Sequence, residues 1–162
     1  SDASARGERA DTSGDAVVEW VAARGDRVVA RALVADETVA IVRQLVEWCD
    51  ADVADLVLTT GGTGLSARDA TPEATRAVVE REAPGIAERL RAMTGAAFPR
   101  AALSRGVAGV RADTLIVNLP GSTSGVRDML VALAPIVSHA VAIVRGFPSG
   151  HGPAERADGG AP

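Results

Sequence analysis

The chain has 162 residues, 47% of them hydrophobic, which suits one domain with a real core rather than a disordered segment. Two Trp, two Phe and no Tyr, with a formal net charge of −4, leave neither an aromatic platform for stacked bases nor a basic surface for polynucleotide, so no nucleic-acid partner is expected. All 17 basic residues are arginine, which excludes a Walker-type lysine, a Schiff-base lysine and a lysine nucleophile.

In chain order, "SDASARGERADTSG" is polar and reads as loop, and "DAVVEWVAAR" (15–24) carries apolar residues at helical intervals, stopping at Gly25. "DRVVARALV" (26–34) reads as a strand. Asp36 then stands at an N-cap position before the helix "ETVAIVRQLVEWCD". Cys49 falls on that helix at core spacing. As the only cysteine it excludes an internal disulfide, and burial suits it better than reactivity. "ADLVLTT" is a buried strand, followed by a loop of three glycines, with Thr60 and Thr63 among them. Thr71-Pro72-Glu73 is a helix start with a hydroxyl cap, and the helix is expected to run through "ATRAVVERE" to a break at Pro84-Gly85 and resume as "IAERLRAM".

"FPRAALSRGVAGVRADT" reads mainly as loop with one short extended piece, "TLIVNLP" as a strand, and "GSTSGVRDMLVALAPIVSHAVAIVRG" as one or two closing helices. Residues 147–162 are small, polar and rich in breakers, and are expected to form a mobile tail after a domain over 1–146. His139 and His151 alone are a poor basis for a zinc site or a Ser/His/Asp triad. No apolar run approaches the roughly 20 residues that span a bilayer and no signal peptide is visible, so the expectation is a soluble cytoplasmic protein without membrane contact. The alternation of strand and helix predicts an α/β class, three-layer α/β/α sandwich around a mainly parallel sheet, with ligands bound where loops leave the strands' carboxyl ends. "VADE", "TTGGTGLSARDATPE" and "NLPGSTSG" are such loops.

Gly62, Gly64 and Ala67 satisfy G-x-G-x-x-[GA], but a dinucleotide fold needs a helix starting at the glycines, and here Arg68, Asp69 and Pro72 push the helix about two turns later. A loop with anion-binding amides and one carboxylate fits a metal better. Mg²⁺ takes one or two protein carboxylates and fills its shell with water and phosphate oxygens, and Asp69 and Asp36 are the candidates. Both have bland alternatives, an N-cap for Asp36 and an Asx-turn for Asp69.

In this order, "TTGGTG", "RDATPEAT", "LSRGVAGV" and "LIVNLPGS" resemble the molybdenum cofactor biosynthesis family of the MogA/MoaB type, and the likeness runs from Ser1 to about Gly146. The resemblance implies a homotrimer that binds molybdopterin, a pterin dithiolene with a terminal phosphate, and works beside other molybdenum cofactor biosynthesis enzymes. In catalytic members, molybdopterin and Mg-ATP give adenylyl-molybdopterin and pyrophosphate. The MoaB branch offers the alternative of a non-catalytic molybdopterin-binding scaffold. The implied roles put Asp36 and Asp69 on Mg²⁺ and the phosphates of ATP. Thr60, Gly61, Gly62, Thr63, Gly64 and Thr71 would meet phosphate or pterin, with Ser104, Arg105, Pro120, Gly121 and Ser122 completing the pocket and Ser1 and Asp2 starting a loop along it. Family members carry an apolar strand before the "SD" pair. Without that strand, a hydrophobic slot and unpaired backbone groups are expected in the sheet.

Overall fold

The computed structural model describes residues 11–147, so Ser1, Asp2, His151 and the expected tail from 148 onward lie outside the described residues. The first helix, α1 (Thr12–Ala23), starts three residues before the sequence pattern suggests, because Asp11 caps it: its carboxylate accepts from the Gly14 amide at 3.0 Å and the Ser13 hydroxyl at 3.1 Å. Helix α2 (Thr38–Asp50) is capped by extended Glu37 with no side-chain bond. Asp36 is therefore not the N-cap, which corrects the bland reading of that residue.

Strand β1 (Leu56–Thr60) leads into the glycine loop, and helix α3 (Thr71–Val78) follows with Pro72 in its first turn. Its N-cap is Ala70 rather than a hydroxyl residue. Helix α3 stops at Val79 instead of running to Pro84. Residues Arg81–Glu82 form a short strand, β2, before α4 (Pro84–Gly95). Pro84 disfavours helix in the residue before it, and Gly109 lets β2 lie close, since a Cβ there would stand 2.9 Å from the Arg81 carbonyl oxygen. A 3-10 turn (Pro99–Leu103), β3 (Ala108–Arg111), β4 (Thr114–Leu119) and one unbroken helix α5 (Thr123–Val144) complete the described residues' elements.

The sheet order is β1-β4-β3-β2. Only β1 and β4 are parallel, with Leu56 opposite Leu115 and Thr60 opposite Leu119; β3 runs antiparallel to both β4 and β2. The sheet is thus mixed, not mainly parallel. The cause is the two-residue turn Ala112-Asp113, with Ala112 at φ 48°, which folds β3 and β4 into a hairpin.

Side chains alternate across the sheet into two cores, giving the three layers expected. Leu115, Val117 and Leu119 face α1, α4 and α5, while Val57 and Ile116 face α2 and α3. Cys49 is buried in the second core, and burial pushes its thiol pKa up, as suits a packing residue. Helix α5 is long and apolar enough to cross a bilayer by composition, which corrects the expectation that no run came near that length. Its buried face, Val126, Met129, Leu130, Leu133 and Val137, packs in the first core instead.

The segment 26–34 is not a strand. It runs beside β1 without pairing to it, and between them lies a slot lined by Val28, Ala30, Val57, Leu58, Val17 and Trp48. A strand cannot form without a ladder partner, and 26–34 has none among the described residues. Arg31 fixes the segment by its ion pairs with Asp11 at 2.8 Å and Asp15 at 2.9 Å.

Candidate functional site

The glycine loop leaves the carboxyl end of β1 beside the turn that leaves β4. The Gly61 amide donates to the Leu119 carbonyl at 3.1 Å, and a Cβ on Gly121 would lie 3.3 Å from the Gly61 Cα. The loop requires glycine at two points. Gly62 sits at φ 63°, and a Cβ there would collide with the Thr71 hydroxyl; a Cβ on Gly64 would meet the Asp69 carboxylate at 2.9 Å. The Thr71 amide closes the loop onto the Gly62 carbonyl at 3.2 Å. Among the described residues, the amides of Gly62, Thr63 and Gly64 donate to no acceptor.

Asp69 lies inside the loop, its Oδ2 accepting from the Ser66 amide at 2.8 Å. This local bond is the turn-forming role that the residue type suggests, and it leaves Oδ1 over. Asp36 lines the slot between 26–34 and β1, a cavity of about 170 Å³, at the part of it that Asp11, Thr59, Thr60 and Thr71 also line. Asp69 does not line this cavity; Thr71, two residues after it, does. Among the described residues no group of three or more His, Cys, Asp or Glu could hold a metal, so these residues offer a cation here two carboxylates at most. Mg²⁺ accepts such a set.

Arg105 is the organiser of the loop. Its amide donates to the Thr63 carbonyl at 2.8 Å, its Nε to the Gly64 carbonyl at 2.6 Å and its Nη2 to the Asp69 carbonyl at 2.6 Å. Its Nη1 pairs with Glu73 on α3, and this guanidinium holds the Glu73 carboxyl below its ordinary pKa. Ser104, beside it, accepts from the Gly106 amide at 3.3 Å and so shapes the approach to β3. Ser122 caps α5 through the Gly125 amide, and Pro120 packs beneath, 2.9 Å from where a Gly125 Cβ would stand.

Three groups at this edge carry no clear mark in the sequence. Ser13 reaches the Thr60 hydroxyl at 3.3 Å and Thr12 reaches that of Thr123 at 2.7 Å, so α1 joins the site. Asp11 opposes Arg31: burial works against its charge, but Arg31, the Gly14 amide and Ser13 outweigh that and hold its pKa below 3.8. Asn118, buried on β4, bonds to Thr59, Thr75 and the Val107 amide. The only sequence cue for the α1 residues was the helix-start pattern Asp-Thr-Ser-Gly; for Asn118 it was a lone amide inside an apolar strand.

A three-layer α/β domain with a glycine loop and hydroxyls at the carboxyl ends of its parallel strands has the build of a binder of phosphate-bearing small molecules. The profile of the family described as "Probable molybdopterin binding domain" matches residues 1–139. The chain belongs to this molybdenum cofactor biosynthesis family. It is 51% identical to a structure from Thermus thermophilus named as the molybdopterin biosynthesis enzyme MoaB, with a TM-score of 0.86 over 91% of this chain and 93% of that one. A molybdopterin biosynthesis Mog protein from Mycobacterium ulcerans gives 42% identity and a TM-score of 0.83, over 89% of this chain and 93% of the other. The molybdopterin adenylyltransferase of Helicobacter pylori strain J99 is 43% identical over 70% of this chain, a match that spans 65% of that relative's length.

Proposed function

We infer that the protein is a molybdopterin adenylyltransferase: it transfers AMP from Mg-ATP to the terminal phosphate of molybdopterin and releases pyrophosphate. What supports this reading is the meeting of the glycine loop, which carries Asp69, with the Ser104–Gly106 turn and the Pro120–Ser122 turn, and the place of Asp36 in the neighbouring slot that Thr60 and Thr71 also line. The relative from Helicobacter pylori bears the same activity in its name.

The chemistry asks little of side-chain acids and bases. A molybdopterin phosphate oxygen, already ionised at neutral pH, forms a bond to the α-phosphorus of ATP. The bond from that phosphorus to the β-bridging oxygen breaks, and the electron pair leaves with pyrophosphate. No histidine or lysine base is needed, so a lysine-free chain suffices. The amides of Gly62, Thr63 and Gly64 and the hydroxyls of Thr60, Thr71 and Ser122 supply donors to phosphate oxygens. Asp36 and Asp69 would hold the Mg²⁺ of Mg-ATP, which supplies charge neutralisation. Arg105 acts by holding the loop in shape. A homotrimer in the cytoplasm, acting with other molybdenum cofactor biosynthesis enzymes, completes the proposal.

Incubation with molybdopterin and Mg-ATP is the test, with adenylyl-molybdopterin and pyrophosphate as the expected products. The name MoaB on the Thermus thermophilus relative favours a second reading, a molybdopterin-binding member without adenylyl transfer. Equilibrium ATP binding separates the two, because a scaffold has no use for the nucleotide. Light scattering tests the trimer.

A further inference from the structure

The helix start Thr71-Pro72-Glu73 ends on a carboxylate that the proposed reaction leaves without a duty. Glu73 stands in the first turn of α3, where an acid suits the positive end of a helix. Its side chain also reaches off the helix. Oε1 accepts from Nη1 of Arg105, and Oε2 from Nη2 at 3.4 Å, across 32 residues of sequence.

The guanidinium is thereby almost fully engaged. It carries five N–H donors in a rigid fork. Nε gives its one to the Gly64 carbonyl, Nη2 gives one to the Asp69 carbonyl and one to Glu73, and Nη1 gives one to Glu73. A single N–H of Nη1 is left, too few for a two-point grip on a phosphate. Two of the acceptors are neutral carbonyls of the glycine loop. Among the described residues Glu73 is the one charged acceptor, and it offsets the charge of the fork that lies on the loop. Arg105 in return holds the Glu73 carboxyl below its ordinary pKa, so the pair stays ionised at neutral pH. The side chains of Arg105 and Glu73 are 31% and 49% exposed, and an ion pair that wet adds little to stability. What it contributes is place.

We propose that Glu73 is a positioning residue for AMP transfer: it keeps the Arg105 fork on the carbonyls of Gly64 and Asp69, so that Arg105 braces the loop instead of binding the triphosphate. This rests on the reading of the site as an adenylyltransferase centre. Without the carboxylate the guanidinium keeps its charge and gains free donors, and a polyphosphate entering the site competes with the loop carbonyls for it.

Two substitutions separate this role from a plain helix-start role. Glu73→Asp keeps the charge in the first turn but falls one methylene short of Arg105, and Glu73→Gln keeps the length but loses the charge. If Glu73 served only the helix end, Asp would serve as well. Hydrogen exchange on the full chain without ligand is the first readout. Both variants are expected to exchange about three- to tenfold faster at the amides of Asp69, Thr71 and Arg105, which bond to the carbonyls of Ser66, Gly62 and Thr63. The Asn118 amide, bonded to the Val107 carbonyl, should keep its rate and so report an intact sheet. In steady-state AMP transfer, Glu73→Gln is expected to lower kcat about fivefold or more and to lower the KM for Mg-ATP with it, the mark of a cation released to the ground-state substrate. In an Arg105→Met background the same change should have little further effect. Unaltered loop exchange in either variant overturns the proposal, as does a raised KM with kcat unchanged, or a full effect in the Arg105→Met background. Absence of AMP transfer by the unaltered chain sinks the enzymatic reading, and the three loop amides then still decide whether Glu73 braces the loop.

Discussion

Arg105 grips Asp69 by its backbone: Nη2 donates to the Asp69 carbonyl oxygen at 2.6 Å, while the carboxylate Oδ2 accepts from the Ser66 amide at 2.8 Å. The two residues that the motifs bring to notice together have separate duties. Arg105 fixes where the aspartate is without pairing with its carboxylate. Arg105→Lys keeps the positive charge but loses the planar fork that reaches Gly64, Asp69 and Glu73 at once. The variant is expected to fold, to lose about 1–2 kcal/mol of stability and to show faster amide exchange over 61–70. AMP transfer should fall about tenfold or more, because the loop no longer holds its donors in place. Thermal melts, hydrogen exchange and turnover on one preparation check all three.

Asp69→Asn keeps an acceptor for the Ser66 amide, so the loop should persist while the charge is lost. Turnover is expected to drop about 10²–10³-fold with molybdopterin affinity changed much less, since charge placement matters most in the transition state. Equal loss of both would contradict the assigned role.

Gly62→Ala tests the loop's backbone. At φ 63°, with the Thr71 hydroxyl in the way of the added Cβ, the substitution meets both strain and contact. A loss of about 1–3 kcal/mol is expected, read as a lowered denaturant midpoint with unchanged slope.

Acid should loosen α1 and segment 26–34 through Asp11. Its folded pKa lies below the ordinary 3.8, so its contribution is in full force above about pH 4–5 and is lost as pH falls through the folded value. Thermal melts between about pH 2 and 7 should show a destabilisation on the acid side that is smaller in Asp11→Asn, whose neutral amide still caps the helix.

Local signals carried far in this chain. Pro72 after Thr71 and the apolar run 114–119 marked α3 and β4, because a ring-fixed φ and a buried strand are properties of consecutive residues. Strand β2 carried no such mark. Arg81 and Glu82 are exposed and polar, and only pairing with Val110 and Gly109 makes them a strand. The Asn118 hub was equally hidden, its threonines lying 59 and 43 residues away in sequence. The hairpin that turned the sheet mixed rests on Ala112 at positive φ, a conformation that alanine does not advertise.

The slot beside β1 has a shape that chain topology explains. Segment 26–34 connects to β1 through α2, which packs on the sheet face of Val57 and Ile116. Helix α1 packs on the opposite face, that of Leu115, Val117 and Leu119. Crossovers between parallel strands are right-handed, so helices on opposite faces belong to crossovers running in opposite directions along the sheet. Helix α1 then suits a crossover from a strand lying in the slot, between 26–34 and β1. An apolar strand of Val and Ile, parallel to β1, fits the lining of Val28, Ala30, Val57, Leu58 and Trp48. Supplied as a separate peptide of about six residues, the usual strand length, it is expected to bind saturably and to shift Trp48 fluorescence in a Trp20→Phe background. It should also raise the melting temperature and protect the amides of β1 and 28–32 from exchange. A peptide of the same length with a proline at its centre cannot complete the ladder and should do none of this. Equal binding of the two would mean adsorption to an apolar surface, and the slot would then not be a strand site.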